Sequence, residues 1–258
     1  MFHLFPNPFA ILKHRTNTPS EKNDEYQIAK RLSPGKAVLS GPFQGLQYPD
    51  YISYGSALIP KLLGTYEKEL HPWISDIICK RYRRIINIGC AEGYYSVGLA
   101  VQITKSTVWA FDVDPEALDF CKKMAQVNNV YERMHIRLMP NTSTLKKLLV
   151  KNSFIFSDCE GDEMLYFDLQ KFPELVACSF LVELHEIKHP HEKAEFVEKF
   201  HRTHTIKTVR ACERKLVDVP IGLRQCIRGS EITALNEFRN DGYTWMYAQP
   251  NTHSAGHD

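Results

Sequence analysis

The stretch that decides the fold is residues 85–94, which read IINIGCAEGY. An apolar run leads straight into a turn of small residues, and a helical pattern starts at Tyr94. Glycine at positions 89 and 93 leaves room for a ligand to lie against the backbone, and the start of the helix offers free N–H groups. The stretch therefore predicts a strand, a ligand-binding turn and a helix.

A carboxylate follows at the distance that a nucleoside site requires. Residues 109–115 read WAFDVDP, so Asp112 ends a second predicted strand, 23 positions after Gly89. A carboxylate there can accept hydrogen bonds from both hydroxyls of a ribose. Ala91 stands where a dinucleotide turn carries the second glycine that lets a pyrophosphate approach. The turn therefore favours a nucleoside cofactor without phosphates over a nicotinamide dinucleotide.

Strand and helix patterns alternate on both sides of this turn. Strands are predicted at 84–88, 107–111, 135–139, 154–156 and 179–184, with helices at 94–103, 115–128, 144–149, 163–171 and 192–202. Extended pieces at 205–209 and 243–248, with a helix near 232–239, predict an antiparallel edge. Such alternation predicts an α/β fold with a doubly wound, mostly parallel, Rossmann-like sheet.

The segment before the first strand divides into two parts. Residues 1–55 predict a loop-rich N-terminal extension, with a loop at Pro19 to Glu25, that serves as a lid or dimer segment. Residues 56–258 are expected to form the cofactor-binding domain. Residues 56–80 predict one or two helices with a break near Pro72.

Acidic residues follow the fourth and fifth predicted strands. Asp158 and Glu160 come after the fourth strand, and Glu183 and His185 end the fifth. Ligands of open α/β sheets bind outside the carboxyl ends of the strands, so both groups are expected to face the cleft of the glycine turn. The neighbouring Glu163 and Glu186 are expected to be solvated.

These motifs resemble a known family. Residues 84–115 resemble the first two motifs of class I S-adenosylmethionine-dependent methyltransferases, and DCEGDE at 158–163 followed by VELH at 182–185 is similar to the FkbM-like branch. The resemblance covers roughly residues 84–190. It implies a methyltransferase fold, S-adenosyl-L-methionine as cofactor, and O-methylation of a hydroxyl on a small natural product, sugar or peptide-derived metabolite.

The resemblance also implies the cofactor contacts. The turn would hold the methionine part and Asp112 the ribose. Asn87 departs from the pattern because an acid is commoner there, so Glu92 or Glu67 is an alternative partner for the cofactor's ammonium. The expected cofactor-binding residues are Tyr66, Asn87, Gly89, Cys90, Ala91, Glu92, Gly93, Tyr94, Asp112, Val113 and Asp158.

The residues are compatible with two mechanisms for activating the acceptor hydroxyl. His185, with an ordinary pKa of about 6.5, is a candidate general base, and Glu160 or Glu183 could orient it or take the proton. Alternatively, Asp158, Glu183 and His185 could hold Mg²⁺ or Mn²⁺, which would lower the pKa of the hydroxyl.

Composition limits the remaining possibilities. The chain has 258 residues, with 32 basic and 30 acidic side chains, and this balance gives no general attraction to nucleic acid. It lacks an apolar run of membrane-spanning length, and its seven cysteines are scattered without a CxxC pair. We therefore expect a cytoplasmic protein with a small-molecule acceptor and neither nucleic acid nor membrane as partner. The apolar N-terminus is compatible with a homodimer.

Two competing functions are carried from the sequence as alternatives. One is a non-catalytic or partner-binding protein on the same fold, for which Asn87 is the main support. The other is a nicotinamide-dependent oxidoreductase, against which Ala91 argues.

Overall fold

The computed structural model describes residues 19–185, 190–239 and 243–251. Its strands, in chain order, are β1 (Arg84–Ile88), β2 (Thr107–Asp112), β3 (Met134–Leu138), β4 (Ser153–Ser157), β5 (Ser179–Leu184), β6 (His204–Arg210) and β7 (Thr244–Pro250). They form one sheet of order β3-β2-β1-β4-β5-β7-β6. Strands β1 to β5 are parallel, and β7 pairs antiparallel with both β5 and β6. The predicted fold class, including its antiparallel edge, is confirmed.

The helices cover both faces of this sheet. They are α1 (Pro19–Leu32), α2 (Leu58–Leu63), α3 (His71–Lys80), α4 (Tyr94–Gln102), α5 (Pro115–Val127), α6 (Thr142–Leu148), α7 (Glu163–Tyr166), α8 (Pro190–His201), α9 (Ile221–Arg224) and α10 (Glu231–Leu235). One apolar core lies between the sheet and α1 to α5, and a second lies under α6 and α8. Within the described ranges, no helix combines the length and apolar character needed to cross a membrane.

Three local predictions need correction. Pro19 to Glu25 forms the start of α1 instead of a loop, because Ala29 and Leu32 of the same helix are buried against the core, and this packing overrides the polar local composition. Pro72 lies in the first turn of α3, where its missing N–H costs nothing, and the helix break falls at residues 64–67 instead. The helix predicted to reach residue 171 ends at Tyr166.

The chain ahead of α2 folds back onto α4 and α5. The ring of Phe43 lies 5.3 Å from that of Tyr94, edge to face. The backbone N–H of Gln47 donates to Asn128 Oδ1 at 2.9 Å, and Asn128 Nδ2 donates to the Gln47 carbonyl at 2.7 Å. These contacts bring the N-terminal segment beside the glycine turn.

Candidate active site

The turn between β1 and α4 accepts only glycine at two positions. Gly89 has a φ of +78°, and a Cβ there would lie 1.7 Å from the carbonyl oxygen of Asp158. Gly93 has a φ of +102°, and a Cβ there would lie 2.8 Å from Cys121 Sγ. A side chain at either position would combine backbone strain with a steric clash. The turn therefore holds β1, β4 and α5 in close contact at the carboxyl ends of the strands.

Asp112 points at this turn. Its Oδ2 accepts the backbone N–H of Ala91 at 2.7 Å, and its Oδ1 accepts the N–H of Asp114 at 3.0 Å. Each carboxylate oxygen can accept a second hydrogen bond, so both remain able to receive a ribose hydroxyl. The structure thus brings Asp112 and the turn together as the sequence predicted.

Exposed apolar side chains lie next to Asp112 at the carboxyl ends of β2 and β3. Val113 is 65% exposed, and Leu138, which pairs with Asp112 across β2 and β3, is 59% exposed. Exposed aliphatic side chains at the carboxyl ends of strands suit the flat face of an aromatic base. Val113 belongs to the motif around Asp112, whereas in the sequence Leu138 is only an apolar residue at the end of the third strand.

Glu92 has several partners within the protein. It is fully buried and forms an ion pair with Lys61. Its oxygens also accept the Ser53 hydroxyl at 2.9 Å and the Tyr54 N–H at 3.1 Å. The Glu92 carboxylate is therefore already paired with Lys61 of α2 and with Ser53 and Tyr54 of the N-terminal segment, and the structure adds no support for its expected pairing with the cofactor's ammonium. Local sequence patterns do not predict this contact, because Lys61 lies 31 positions from Glu92.

Four other expected cofactor-binding residues are buried. Asn87 is 1% exposed, and its Oδ1 has no hydrogen-bond partner among the described residues. Cys90, Tyr94 and Tyr66 are also buried, and the Tyr66 and Tyr94 rings meet edge to face at 5.7 Å. A hydrogen bond with Cys121 and burial raise the pKa of the Cys90 thiol, so this cysteine is a packing residue.

The acidic residues after β4 and β5 converge on His185. Its Nε2 lies 3.4 Å from Asp158 Oδ1, 3.3 Å from Glu160 Oε2 and 3.6 Å from Glu183 Oε2. The two strand ends therefore meet, as the sequence predicted. Asp158 joins this group to the glycine turn, because its backbone oxygen faces Gly89 while its carboxylate faces His185.

Glu163 differs from its predicted solvated state. It is 1% exposed, and its Oε1 lies 2.7 Å from His185 Nδ1. The short helix α7 starts immediately after the acidic loop, and its first residue is turned inward toward β5. Glu186 lies outside the described residues.

The carboxyls around His185 favour its protonated form. Burial lowers the pKa of its imidazole, but hydrogen bonds to Glu160 and Glu163 and the charges of Asp158 and Glu183 outweigh that effect and raise the pKa to about 11. An imidazolium has no free nitrogen lone pair with which to accept a proton. Either role expected for His185, general base or metal ligand, therefore requires that Nε2 first gives up this proton.

The same residues fit a divalent cation. Asp158, Glu183 and His185 each present one ligand atom, and these atoms lie within 4.8 Å of one another. The Asp158 Oδ1 atom is buried and has no hydrogen-bond partner among the described residues. Glu163 engages the far nitrogen of the imidazole, as carboxylates do behind metal-binding histidines. Two carboxylates and one imidazole suit Mg²⁺ or Mn²⁺.

One further residue, which no sequence motif marks, lies beside this acidic group. Arg239, which follows α10, forms ion pairs with Glu67 and Glu183. It comes from the C-terminal part of the chain, which carries no recognisable motif, so only the folded structure reveals its position.

Comparisons with known proteins agree with this geometry. Residues 77–187, a little under half of the chain, match the model of a family described as O-methyltransferase. This stretch contains the turn, Asp112 and the acidic group around His185. None of the curated proteins matches the chain. The family match supports the prediction of a methyltransferase.

Solved structures show the same fold. The N-terminal domain of human METTL16 in complex with SAH is 14% identical, with a TM-score of 0.54, and the match covers 90% of this chain and 83% of that one. The human methyltransferase 10 domain containing protein is also 14% identical, with a TM-score of 0.52 and coverage of 90% and 97%. At this identity the likeness shows the fold alone.

Proposed function

We propose that this S-adenosylmethionine-dependent methyltransferase transfers its methyl group to a hydroxyl oxygen of a small molecule, such as a natural product, a sugar or a peptide-derived metabolite. The observation that carries the proposal is the position of Asp158. It connects the glycine turn to the acidic group at His185, so a cofactor and an acceptor placed at these two parts would meet.

The cofactor roles follow from the turn. The backbone at 89–93 would lie against the methionine part, and Asp112 would accept the ribose hydroxyls. The exposed Val113 and Leu138 would contact the adenine. Tyr66, Asn87, Cys90 and Tyr94 would shape the floor of the site as buried side chains.

The charge of the site favours an uncharged acceptor. Five carboxyls, those of Glu67, Asp158, Glu160, Glu163 and Glu183, face two cationic side chains, His185 and Arg239. The sulfonium of the cofactor and a divalent cation would both balance the excess negative charge. An acceptor that carries a phosphate or carboxylate would be repelled.

A divalent cation is part of the proposal. Asp158, Glu183 and His185 would hold it, and it would lower the pKa of the acceptor hydroxyl. Glu163 would fix the His185 ring, and Glu160, beside the same nitrogen, would restrict the approach of the acceptor. In the alternative, His185 takes the proton of the acceptor itself. In both cases Nε2 must first release the proton that the surrounding carboxylates stabilise.

The subfamily, the domain boundary and the cellular location are also proposals. The acidic motifs support the FkbM-like branch, and the contacts of Glu92 support a role for residues 1–55 in shaping the cofactor site. A cytoplasmic protein without a nucleic-acid partner stays a prediction from the charge balance and the scattered cysteines.

The test is the formation of S-adenosylhomocysteine from S-adenosylmethionine across a panel of neutral hydroxylated compounds, each paired with its phosphorylated or carboxylated analogue. Each reaction is run with Mg²⁺, with Mn²⁺ and with EDTA. We expect product with at least one neutral acceptor, none with its anionic analogue, and loss of turnover in EDTA. Turnover that persists in EDTA and rises with deprotonation of His185 would favour the histidine base. The Asp158→Asn variant is the matched negative control.

A further inference from the structure

Five basic side chains lie at the amino ends of the parallel strands, opposite the candidate active site. Arg81 and Arg83 precede β1, Lys105 precedes β2, Lys147 lies in the last turn of α6 and Lys151 precedes β4. All five are exposed, and within the described part of the chain none forms an ion pair with a carboxylate. We call these five residues the basic face.

Strand pairing brings the basic face together. Arg84 of β1 aligns with the first residue of β2 on one side and with the first residue of β4 on the other. Lys105 and Lys151 lie two positions before those first residues, so they flank the start of β1. Arg84 Nη1 also donates to the Lys147 carbonyl at 3.2 Å, which joins the end of α6 to the same surface.

Acidic residues on this side of the sheet neutralise little of the charge. Lys80 Nζ lies 3.4 Å from Asp76 Oδ2, so these two side chains balance each other. Glu174 has one carboxylate oxygen buried in the protein, and Glu132 is exposed in the turn before β3. The basic face therefore keeps an excess of positive charge.

Negative charge is concentrated at the opposite end of the sheet. Asp158, Glu160 and Glu183 lie around His185 at the carboxyl ends of β4 and β5. The chain-wide balance of 32 basic and 30 acidic residues does not reveal this separation, which is why the sequence favours no membrane partner. An anionic surface would attract the basic face and repel the acidic end, so it would orient the protein with its cleft turned away.

Apolar side chains beside the basic face suit the interface of a lipid bilayer. Val150, next to Lys151, is 42% exposed, and Val176 is 40% exposed. The Asn152 N–H donates to the Ala177 carbonyl at 3.1 Å, so the segments that carry the two valines lie side by side. Binding to a membrane surface gains from such apolar contact as well as from the attraction of basic side chains to anionic lipids.

The same surface is poorly suited to single-stranded RNA, the other common polyanion. Proteins bind RNA bases by stacking them on exposed aromatic rings. Tyr82, between the two arginines of the basic face, is buried, and the Trp109 ring already stacks on His135 at 4.9 Å. Tyr131, before β3, is 40% exposed, but one ring does not form a platform for successive bases.

We propose that the basic face binds the anionic lipid headgroups of a membrane surface and leaves the acidic cleft open to the aqueous side. Each basic residue near such a surface strengthens binding by about fivefold, so five together give a substantial affinity. A small acceptor dissolved in water would reach the cleft from the free side.

The test is cosedimentation of the full chain with vesicles, which requires neither cofactor nor acceptor. We expect binding to phosphatidylcholine vesicles that contain about one third phosphatidylserine, in about 0.1 M NaCl. We expect no binding to vesicles of phosphatidylcholine alone, and release from the anionic vesicles in about 0.5 M NaCl, because salt screens the attraction.

Charge reversal on the basic face is compared with a matched control. The triple variant Lys105→Glu, Lys147→Glu and Lys151→Glu is expected to bind anionic vesicles about 100-fold more weakly or worse. The control, Lys30→Glu, Lys215→Glu and Arg228→Glu, changes the net charge equally at exposed positions of α1 and of the segment between β6 and β7. It is expected to stay within about threefold of wild type, because salt screens charges that lie far from the lipid.

Folding of both triple variants is checked by thermal unfolding, in which we expect a Tm within about 3 °C of wild type. If the basic-face variant does not fold, the milder double variant Lys105→Gln with Lys151→Gln is expected to bind about 25-fold more weakly. Wild-type protein that ignores anionic vesicles, or equal losses in the two triple variants, would overturn the proposal. Tighter binding to a labelled single-stranded RNA than to the vesicles, measured by fluorescence anisotropy, would overturn it in favour of nucleic acid.

Discussion

The Lys61→Met substitution tests how much the buried Lys61–Glu92 ion pair stabilises the protein around the glycine turn. Lys61 and Glu92 are 4% and 0% exposed in their side chains, so the substitution leaves a carboxylate buried without its cation. Breaking a buried ion pair in this way typically costs about 3–5 kcal/mol. Glu92 keeps its hydrogen bonds from Ser53 and Tyr54, so we expect the low end, about 3 kcal/mol at neutral pH. For a chain of this size that is a fall in Tm of roughly 6–12 °C.

The assay is urea denaturation followed by circular dichroism, with two comparison variants. Lys80→Met removes a surface pair with Asp76 that is 38% and 44% exposed, and it is expected to cost less than about 1 kcal/mol. The double variant Lys61→Met with Glu92→Gln removes both charges, while the amide oxygen still accepts the Tyr54 N–H. It is expected to recover about half of the loss.

The result that would refute this reasoning is a Lys61→Met variant within about 0.5 kcal/mol of wild type, equal to Lys80→Met. Glu92 would then not depend on Lys61. A double variant that binds S-adenosylhomocysteine with wild-type affinity would support the conclusion that Glu92 acts on the N-terminal segment and not directly on the cofactor.

Two further outcomes follow from particular contacts. Gly89→Ala is expected to lower the free energy of unfolding by about 3 kcal/mol or more and to abolish S-adenosylhomocysteine binding, because its Cβ would clash with the Asp158 carbonyl. Gly45→Ala is the control, since Gly45 has a φ of +89° and a Cβ there would meet no atom within 4 Å. In thermal unfolding it is expected to show the cost of backbone strain alone, about 1–2 kcal/mol. Burial raises the pKa of Glu237 from 4.5 to about 8, so the folded protein keeps a proton that the unfolded chain releases, and the free energy of unfolding falls as pH rises between these values. Glu237→Gln is therefore expected to gain about 1–2 kcal/mol on wild type between pH 5 and pH 8.5 in urea titrations, and parallel pH profiles would contradict this.

The sheet and the turn could be predicted because local patterns determine them. The strand at 84–88 and the strand at 179–184 have the predicted bounds, since apolar runs between turn residues leave few alternatives. Asp112 could be placed because the length of one helix and one strand fixes its distance from Gly89. The helix at 19–32 could not be predicted, because its stability comes from contacts with distant residues.

The chemistry of the acidic group could be predicted only in part. Strand ends indicated that Asp158, Glu183 and His185 would meet, but the pKa of His185 depends on four carboxyls at distances that only the fold sets. The inward turn of Glu163 and the approach of Arg239 depend on loops without a motif. Their positions follow from tertiary packing and leave no trace in local sequence patterns.

The central claim is that the turn and Asp112 bind one adenosine-bearing cofactor. Its most direct test is calorimetry of S-adenosylhomocysteine binding to the wild-type chain and to the Asp112→Ala variant. We predict wild-type binding that saturates below about 1 mM and a loss of about 10-fold or more in the variant, since hydrogen bonds to a charged acceptor contribute roughly 1.5–3 kcal/mol each. Asp114→Ala, which removes the cap of α5, should lower stability but not affinity. No heat from the wild type at millimolar ligand, or equal affinity in Asp112→Ala, would contradict the account.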